Sequence, residues 1–111
     1  MTPNEYQQLA ARTDSQEISF NTLIAACMGL VGETGEVVDH VKKVMEQGHT
    51  LDTVKIEEEL GDLMWYIAKA ARNIGTTLEE IAEQNIAKLQ RRYPSGFSSE
   101  ASRNREDTWH D

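Results

Sequence analysis

Two short acidic motifs lie inside stretches that otherwise have the pattern of amphipathic helices. The first motif contains Glu33 and Glu36, and the second, separated from it by 22 residues, contains Glu59 and Asp62. The i, i+3 spacing within each motif places its two carboxylates on one face of a helix. The direction of that face decides what the chain can fold into.

Both motifs interrupt an apolar stripe. Glu33 lies three residues after Leu30 and four before Val37, at a step where the stripe lacks an apolar residue, and Glu59 interrupts the second stripe in the same way. Two helices are therefore predicted to direct carboxylates at the inside of the fold. Buried unpaired carboxylates cost more than a small domain can supply, so either they lose their charge or a cation is present. The apolar residues of the two predicted stripes are Phe20, Leu23, Cys27, Leu30, Val37, Val41 and Val44, then Ile56, Leu63, Ile67, Ala71 and Ile74.

The helix signals predict an all-α fold, a bundle of about four helices with a long antiparallel central hairpin. The predicted helices run from 3 to about 12, from about 20 to 47, from an N-cap at Thr50 or Asp52 to about 73, and from about 78 to 93. Residues 1–94 are predicted to form a single domain. The polar tail 95–111 has the composition of a disordered segment, with Phe97 and Trp109 as possible anchors.

Composition limits the classes of function. The net charge of −8 opposes binding to duplex nucleic acid, and no apolar run approaches the roughly 18 residues that cross a bilayer. A soluble, cytoplasmic protein without membrane partners is the expectation. Cys27, the single cysteine, excludes an internal disulfide and is interpreted as a small core residue.

The hairpin brings the two motifs to nearly the same level. Counted from the turn, the midpoints of the motifs differ in height by only about 4 to 5 Å at roughly 1.5 Å per residue. Four carboxylates would then share one small volume, and hard divalent cations relieve their repulsion best. All-oxygen ligands select Mg²⁺, Mn²⁺ or Ca²⁺ over zinc or copper.

Glycines recur through both motifs, at Gly29, Gly32, Gly35 and Gly61. Each costs up to about 1 kcal/mol relative to alanine inside a helix. Close approach of a ligand beside the metal and tight packing of helices are both open as explanations.

A predicted metal site without a serine or cysteine nucleophile beside it indicates hydrolysis of a phosphate ester or anhydride, because a metal ion polarises the phosphoryl group and activates water. The fourth helix offers Asn85, Lys88 and Arg92 at i, i+3 and i+7, on one face, as partners for a negatively charged substrate.

These motifs resemble those of the MazG-like nucleotide pyrophosphohydrolases, within the all-α NTP pyrophosphatases. The resemblance spans residues 20 to 97 and depends on the two acidic motifs together with Asn-x-x-Lys-Leu-x-x-Arg-Tyr-Pro at 85 to 94. It implies Mg²⁺ ligation by Glu33, Glu36, Glu59 and Asp62, and contacts from Asn85, Lys88 and Arg92 to nucleotide phosphates. It further implies attack of a metal-bound water on the α-phosphorus of a nucleoside triphosphate, and assembly as a homodimer or homotetramer.

Several alternatives stay open. Glu58, four residues before Asp62, competes with Glu59 for the site. His40 is interpreted as a surface or capping residue and Trp65 as packing or interface material, although Trp65 also has the chemistry to stack on a base. The competing function is an acidic helical module that binds a protein partner, without metal or catalysis, and it predicts exposed carboxylates.

Overall fold

The computed structural model describes residues 1–104 and is all-α, as predicted. Within those residues there is no β-strand, and the bundle prediction of about four main helices is confirmed. A fifth, short helix lies in the segment whose composition alone indicates disorder. The helices are α1 Pro3–Ala11, α2 Phe20–Gln47, α3 Thr53–Asn73, α4 Leu78–Arg92 and α5 Ser99–Arg103.

Local chemistry sets the helix ends. The Thr2 side chain accepts a hydrogen bond from Glu5 N–H and caps α1, with proline at the first helical position. Gly48 ends α2 in the left-handed conformation, at φ 70°, where glycine avoids the steric cost of a Cβ. Asp52, one of the two N-caps predicted, accepts a hydrogen bond from Lys55 N–H at 3.1 Å and starts α3.

Two polar contacts fix how α2 and α3 pair. Near the turn, the His40 imidazole accepts a hydrogen bond from Asp52 N–H at 3.1 Å through Nε2. At the far end, the side-chain oxygen of Asn73 accepts from the Thr22 hydroxyl at 2.5 Å and from Ser19 N–H at 3.0 Å. The helices therefore run antiparallel, with both acidic motifs between the two contacts.

Helix α1 also packs against α3, and a buried carboxylate holds the segment between α1 and α2. The side chain of Asp14 is only 4% exposed and pairs with Arg72 at 2.7 Å and Lys69 at 3.5 Å. Burial acts to raise the pKa of Asp14, but the Gln16 N–H donor and the two cations outweigh it and hold the pKa below the ordinary value. Trp65 Nε1 donates to the Thr13 hydroxyl at 2.7 Å and closes the same region.

The predicted apolar stripes are buried only in part, since Ala71 is buried and Leu30 and Leu63 are half-buried. Phe20 is 74% exposed and Ile74 is 64% exposed, and Cys27, Val41 and Ile67 are exposed as well. The inward face of α2 instead carries small and polar residues, because close pairing of two helices leaves little room for large side chains. Its buried members are Thr22, Ala26 and His40.

The chain forms two compact units, Met1–Leu78 and Glu79–Asp111. In the second unit, Tyr93 contacts Phe97 with ring centroids 5.2 Å apart, and Ser98 caps α5 by accepting from Ala101 N–H. The predicted single domain 1–94 stays a prediction, and Trp109 lies outside the described residues. Among the described helices, none combines the length and apolar character that crossing a bilayer requires.

Candidate metal centre

Three carboxylates converge between α2 and α3. Glu33, Glu59 and Asp62 each offer an oxygen, and these oxygens all lie within 4.8 Å of one another. Glu36 completes the group, since its side chain hydrogen-bonds with Glu59 and Glu33 and lies within the electrostatic reach of Asp62. We call these four residues the acidic cluster.

The helix register explains why Glu33 and Glu59 point inward. Glu33 lies seven residues before the buried His40 and seven after the buried Ala26, a spacing of two helical turns that keeps all three on one face. Glu59 is half-buried, whereas its neighbour Glu58 is exposed. The choice of Glu59 over Glu58 therefore agrees with where the structure places the two side chains.

Crowding of negative charge alters the acidity of the cluster. The Glu59 carboxylate raises the pKa of Glu36 above its ordinary value, first through a hydrogen bond to the protonated form and then through repulsion. Burial and the charge of Asp62 act in the same direction. Crowding of the carboxylates therefore favours the protonated form of Glu36, although the hydrogen bond with Glu33 acts in the opposite direction.

The donor set fits a hard divalent cation. One oxygen of Glu33 and one of Glu59 are buried and have no hydrogen-bond partner among the described residues. Such an atom normally costs stability unless a donor or cation satisfies it. Four carboxylates, with no nitrogen or sulfur ligand among them, are the chemistry that Mg²⁺, Mn²⁺ and Ca²⁺ prefer. A purely solvated acidic surface would leave all four carboxylates exposed, whereas Glu33 and Glu59 are half-buried and only Glu36 and Asp62 are exposed.

The glycines of the motifs divide into two kinds. A Cβ at Gly29 would overlap the ring of Tyr66, so helix packing requires this glycine. A Cβ at Gly32, Gly35 or Gly61 would meet no atom within 4 Å. Packing within the chain therefore explains Gly29 and leaves the other three without a structural reason.

The predicted phosphate contacts lie on α4, in the second unit. Asn85 is exposed, and Lys88 and Arg92 are half-buried. Their spacing keeps them on one face of a helix, as the sequence predicts. Their contact with phosphate stays a prediction.

Three residues near the acidic cluster were not singled out by the sequence. Burial raises the pKa of Tyr6, and the charge of Asp62 raises it further. Tyr6 of α1 therefore lies within the electrostatic reach of the cluster. Tyr66 lies four residues after Asp62, and Lys55 lies four before Glu59, so both share a helix face with a cluster member. For Tyr66 and Lys55, this i, i+4 spacing from an acidic residue was the only sign in the sequence that they lie near the cluster. The same spacing also occurs on helices without any site.

Comparisons with known proteins agree with this geometry. The family model of the MazG nucleotide pyrophosphohydrolase domain matches residues 19–97, a range that includes the acidic cluster and the α4 residues. The chain is 35% identical over 91 residues to Gene 37 protein of Mycobacterium phage L5, covering 78% of this chain and 80% of the phage protein. No solved structure matches. The chain belongs to the MazG nucleotide pyrophosphohydrolase domain family.

Proposed function

We propose that this chain is a magnesium-dependent nucleoside triphosphate pyrophosphohydrolase, which converts a ribo- or deoxyribonucleoside triphosphate and water into the monophosphate and pyrophosphate. The observation that carries the proposal is the acidic cluster, in which Glu33 and Glu59 each keep a buried oxygen without a hydrogen-bond partner among the described residues. Membership of the MazG family supports the same reaction.

Glu33, Glu36, Glu59 and Asp62 would hold the cation. When bound, Mg²⁺ polarises a phosphoryl group and lowers the pKa of water, which is the chemistry that anhydride hydrolysis needs. In the overall reaction the water oxygen bonds to the α-phosphorus, and the bond from that phosphorus to the bridging oxygen breaks. The bridging oxygen leaves with the electron pair as part of pyrophosphate, and a carboxylate of the cluster accepts the proton of the water.

The basic residues of α4 would neutralise the remaining charge of the substrate. Lys88 and Arg92 supply charge-assisted donors, and Asn85 supplies an amide donor on the same face. We propose that these three residues contact the phosphates of the nucleotide.

The experiment is an assay of pyrophosphate release from a panel of ribo- and deoxyribonucleoside triphosphates, with and without Mg²⁺. We expect turnover that requires metal and is abolished by Glu59→Gln. The matched control is Glu58→Gln, which removes the same charge from an exposed neighbour and is expected to keep activity. Absence of release from every nucleotide, or equal loss in both variants, would reject the proposal.

We also propose that the chain assembles as a homodimer or homotetramer through the outer face of α2. The buried hydrophobic residues of the described chain are all alanines, so its large apolar side chains find little cover within one copy. An apolar groove of about 310 Å³ runs along α2, and a second copy can cover it symmetrically. The residues that line it are Phe20, Leu23, Ile24, Cys27, Met28 and Val31.

Sedimentation equilibrium tests this assembly. We expect an oligomer for the natural chain and a shift toward monomer for Val31→Glu, because a charge on an apolar interface is left unpaired. Glu83→Lys, on exposed α4, is the control and is expected to leave the mass unchanged. A monomeric natural chain would contradict the assembly without bearing on the metal site.

A further inference from the structure

The acidic cluster separates two grooves within the first unit. One groove, of about 440 Å³, contains Lys55 and is called the lysine groove. The other, of about 350 Å³, contains Trp65 and Tyr66 and is called the aromatic groove. The lysine groove is lined by Gly32, Gly35, Glu36, Asp39, Lys55 and Glu59, and the aromatic groove by Glu33, Asp62, Trp65 and Tyr66.

The four carboxylates are divided between the grooves, two to each. Glu36 and Glu59 line the lysine groove, whereas Glu33 and Asp62 line the aromatic groove. Along α3 the aromatic groove lies one to two turns beyond the lysine groove, at roughly 5.4 Å per turn. A ligand held at the cluster can therefore extend into both grooves, in opposite directions.

The lysine groove combines one basic side chain with three carboxylates, so it suits a phosphate only together with a divalent cation held by the acidic cluster. Gly32 and Gly35 leave α2 backbone uncovered in this groove, because a Cβ at either position would meet nothing within 4 Å. Glycine is among the least favourable residues inside a helix, and packing within the chain does not require it at these two positions. Lys55 supplies a flexible ammonium group in this groove, one helical turn before Glu59, and such a point charge suits a phosphate.

The aromatic groove has rigid apolar walls. The rings of Trp65 and Tyr66 meet edge to face, with centroids 5.1 Å apart. Trp65 is anchored by its hydrogen bond to the Thr13 hydroxyl, and Tyr66 rests on Gly29. Aromatic walls that are already fixed bind a base at low entropic cost, because no side chain has to be ordered on binding.

We propose that the nucleotide lies across the acidic cluster in one direction, with its terminal phosphates in the lysine groove and its nucleoside in the aromatic groove. This inference rests on the proposed function and goes beyond it, because it assigns phosphate recognition to Lys55 and base recognition to Trp65. The α-phosphorus would then lie between the two pairs of carboxylates. Pyrophosphate would leave past Lys55.

Equilibrium binding of the two products tests the direction. Calorimetry in the presence of Mg²⁺ measures the affinity for inorganic pyrophosphate and for a nucleoside 5′-monophosphate. We expect Lys55→Gln to weaken the affinity for pyrophosphate about tenfold, because a charge-assisted hydrogen bond is lost. The affinity for the nucleoside monophosphate should stay nearly unchanged. Lys42→Gln is the control, since Lys42 is exposed on α2 and lines neither groove.

Ribose 5-phosphate, which lacks the base, isolates the contribution of Trp65. In the natural chain we expect tighter binding of the nucleoside monophosphate than of ribose 5-phosphate, and Trp65→Leu should reduce this preference about tenfold. Because the preference is a ratio within one variant, a general loss of folded protein does not imitate the effect.

The outcomes separate the two proposals. The proposed direction would be overturned if Lys55→Gln left the affinity for pyrophosphate unchanged, or weakened the affinity for the monophosphate instead. It would also be overturned if the natural chain bound neither product. If the natural chain still releases pyrophosphate from nucleotides, the proposed function survives that result. A natural chain that hydrolyses no nucleotide rejects the proposed function itself.

Discussion

The ring of Tyr66 occupies the space that a side chain at Gly29 would need. A Cβ built at Gly29 overlaps three atoms of that ring, whereas one built at Gly32, a single turn further along α2, meets nothing within 4 Å. This contact joins α2 to α3 beside the acidic cluster and fixes one wall of the aromatic groove.

Alanine substitution at these two glycines should therefore have opposite effects. We expect Gly29→Ala to lower the free energy of unfolding of the metal-free protein by about 1–3 kcal/mol, through overpacking against Tyr66. Gly32→Ala should raise it by up to about 1 kcal/mol, because alanine is the better helix former and has open space. Urea denaturation at one fixed protein concentration measures both. Equal effects of the two substitutions would contradict the packing described.

His40 should stabilise the turn of the hairpin. Its side chain is 9% exposed and accepts the hydrogen bond from Asp52 N–H at the start of α3. We expect His40→Ala to lower the free energy of unfolding by about 1–3 kcal/mol, because packing is lost and the Asp52 N–H is left without an acceptor. His49→Ala, at an exposed position in the same turn, should change stability by less than about 0.5 kcal/mol. The idea fails if thermal melts show similar losses for both variants.

Asp14 should make stability fall in acid. Its folded-state pKa is lowered from the ordinary 3.8, so its contribution is fully present above 3.8 and is lost as the pH falls through the folded value. At neutral pH we expect Asp14→Asn to cost about 3 kcal/mol, because Lys69 and Arg72 lose a buried partner. Below pH 3.8, the difference in free energy of unfolding between Asp14→Asn and the natural chain should become smaller. A difference that stays constant with pH would show that the ion pairs are not its cause.

Glu36 should have the opposite dependence in the metal-free protein. Its folded-state pKa is raised above the ordinary 4.5, so the folded chain binds more protons than the unfolded one between these two values. Stability should therefore decline as the pH rises from 4.5 through the folded pKa, and Glu36→Gln should flatten that decline. Denaturant melts with a chelator present measure the slope. An unchanged slope in Glu36→Gln would argue against crowding of carboxylates at this position.

Helix ends were predictable from the sequence because local residues determine them. Gly48 and Asp52 end one helix and begin the next wherever the rest of the chain lies, and both have the predicted roles. The buried face of α2 was harder to predict. Phe20 and Val41 have the period of a core stripe, but periodicity does not distinguish a face that packs within the chain from one that is left exposed.

The acidic cluster was predictable because a carboxylate at an inward helical position is rare enough to be informative. Glu33 and Glu59 are half-buried as the spacing predicts, even though several apolar residues of the same stripes are exposed. The grooves were not predictable. Whether Lys55 and Tyr66 line a groove depends on side-chain packing between two helices, and one sequence does not record it.

The most direct test of the central claim, that the acidic cluster holds a divalent cation, is calorimetric titration of the metal-free protein with Mg²⁺ or Mn²⁺. We predict saturable binding that Glu59→Gln abolishes and Glu58→Gln retains, together with a rise in melting temperature, since metal bound only to the folded state stabilises it. A titration without a saturable site, or one that Glu59→Gln leaves unchanged, would contradict the claim.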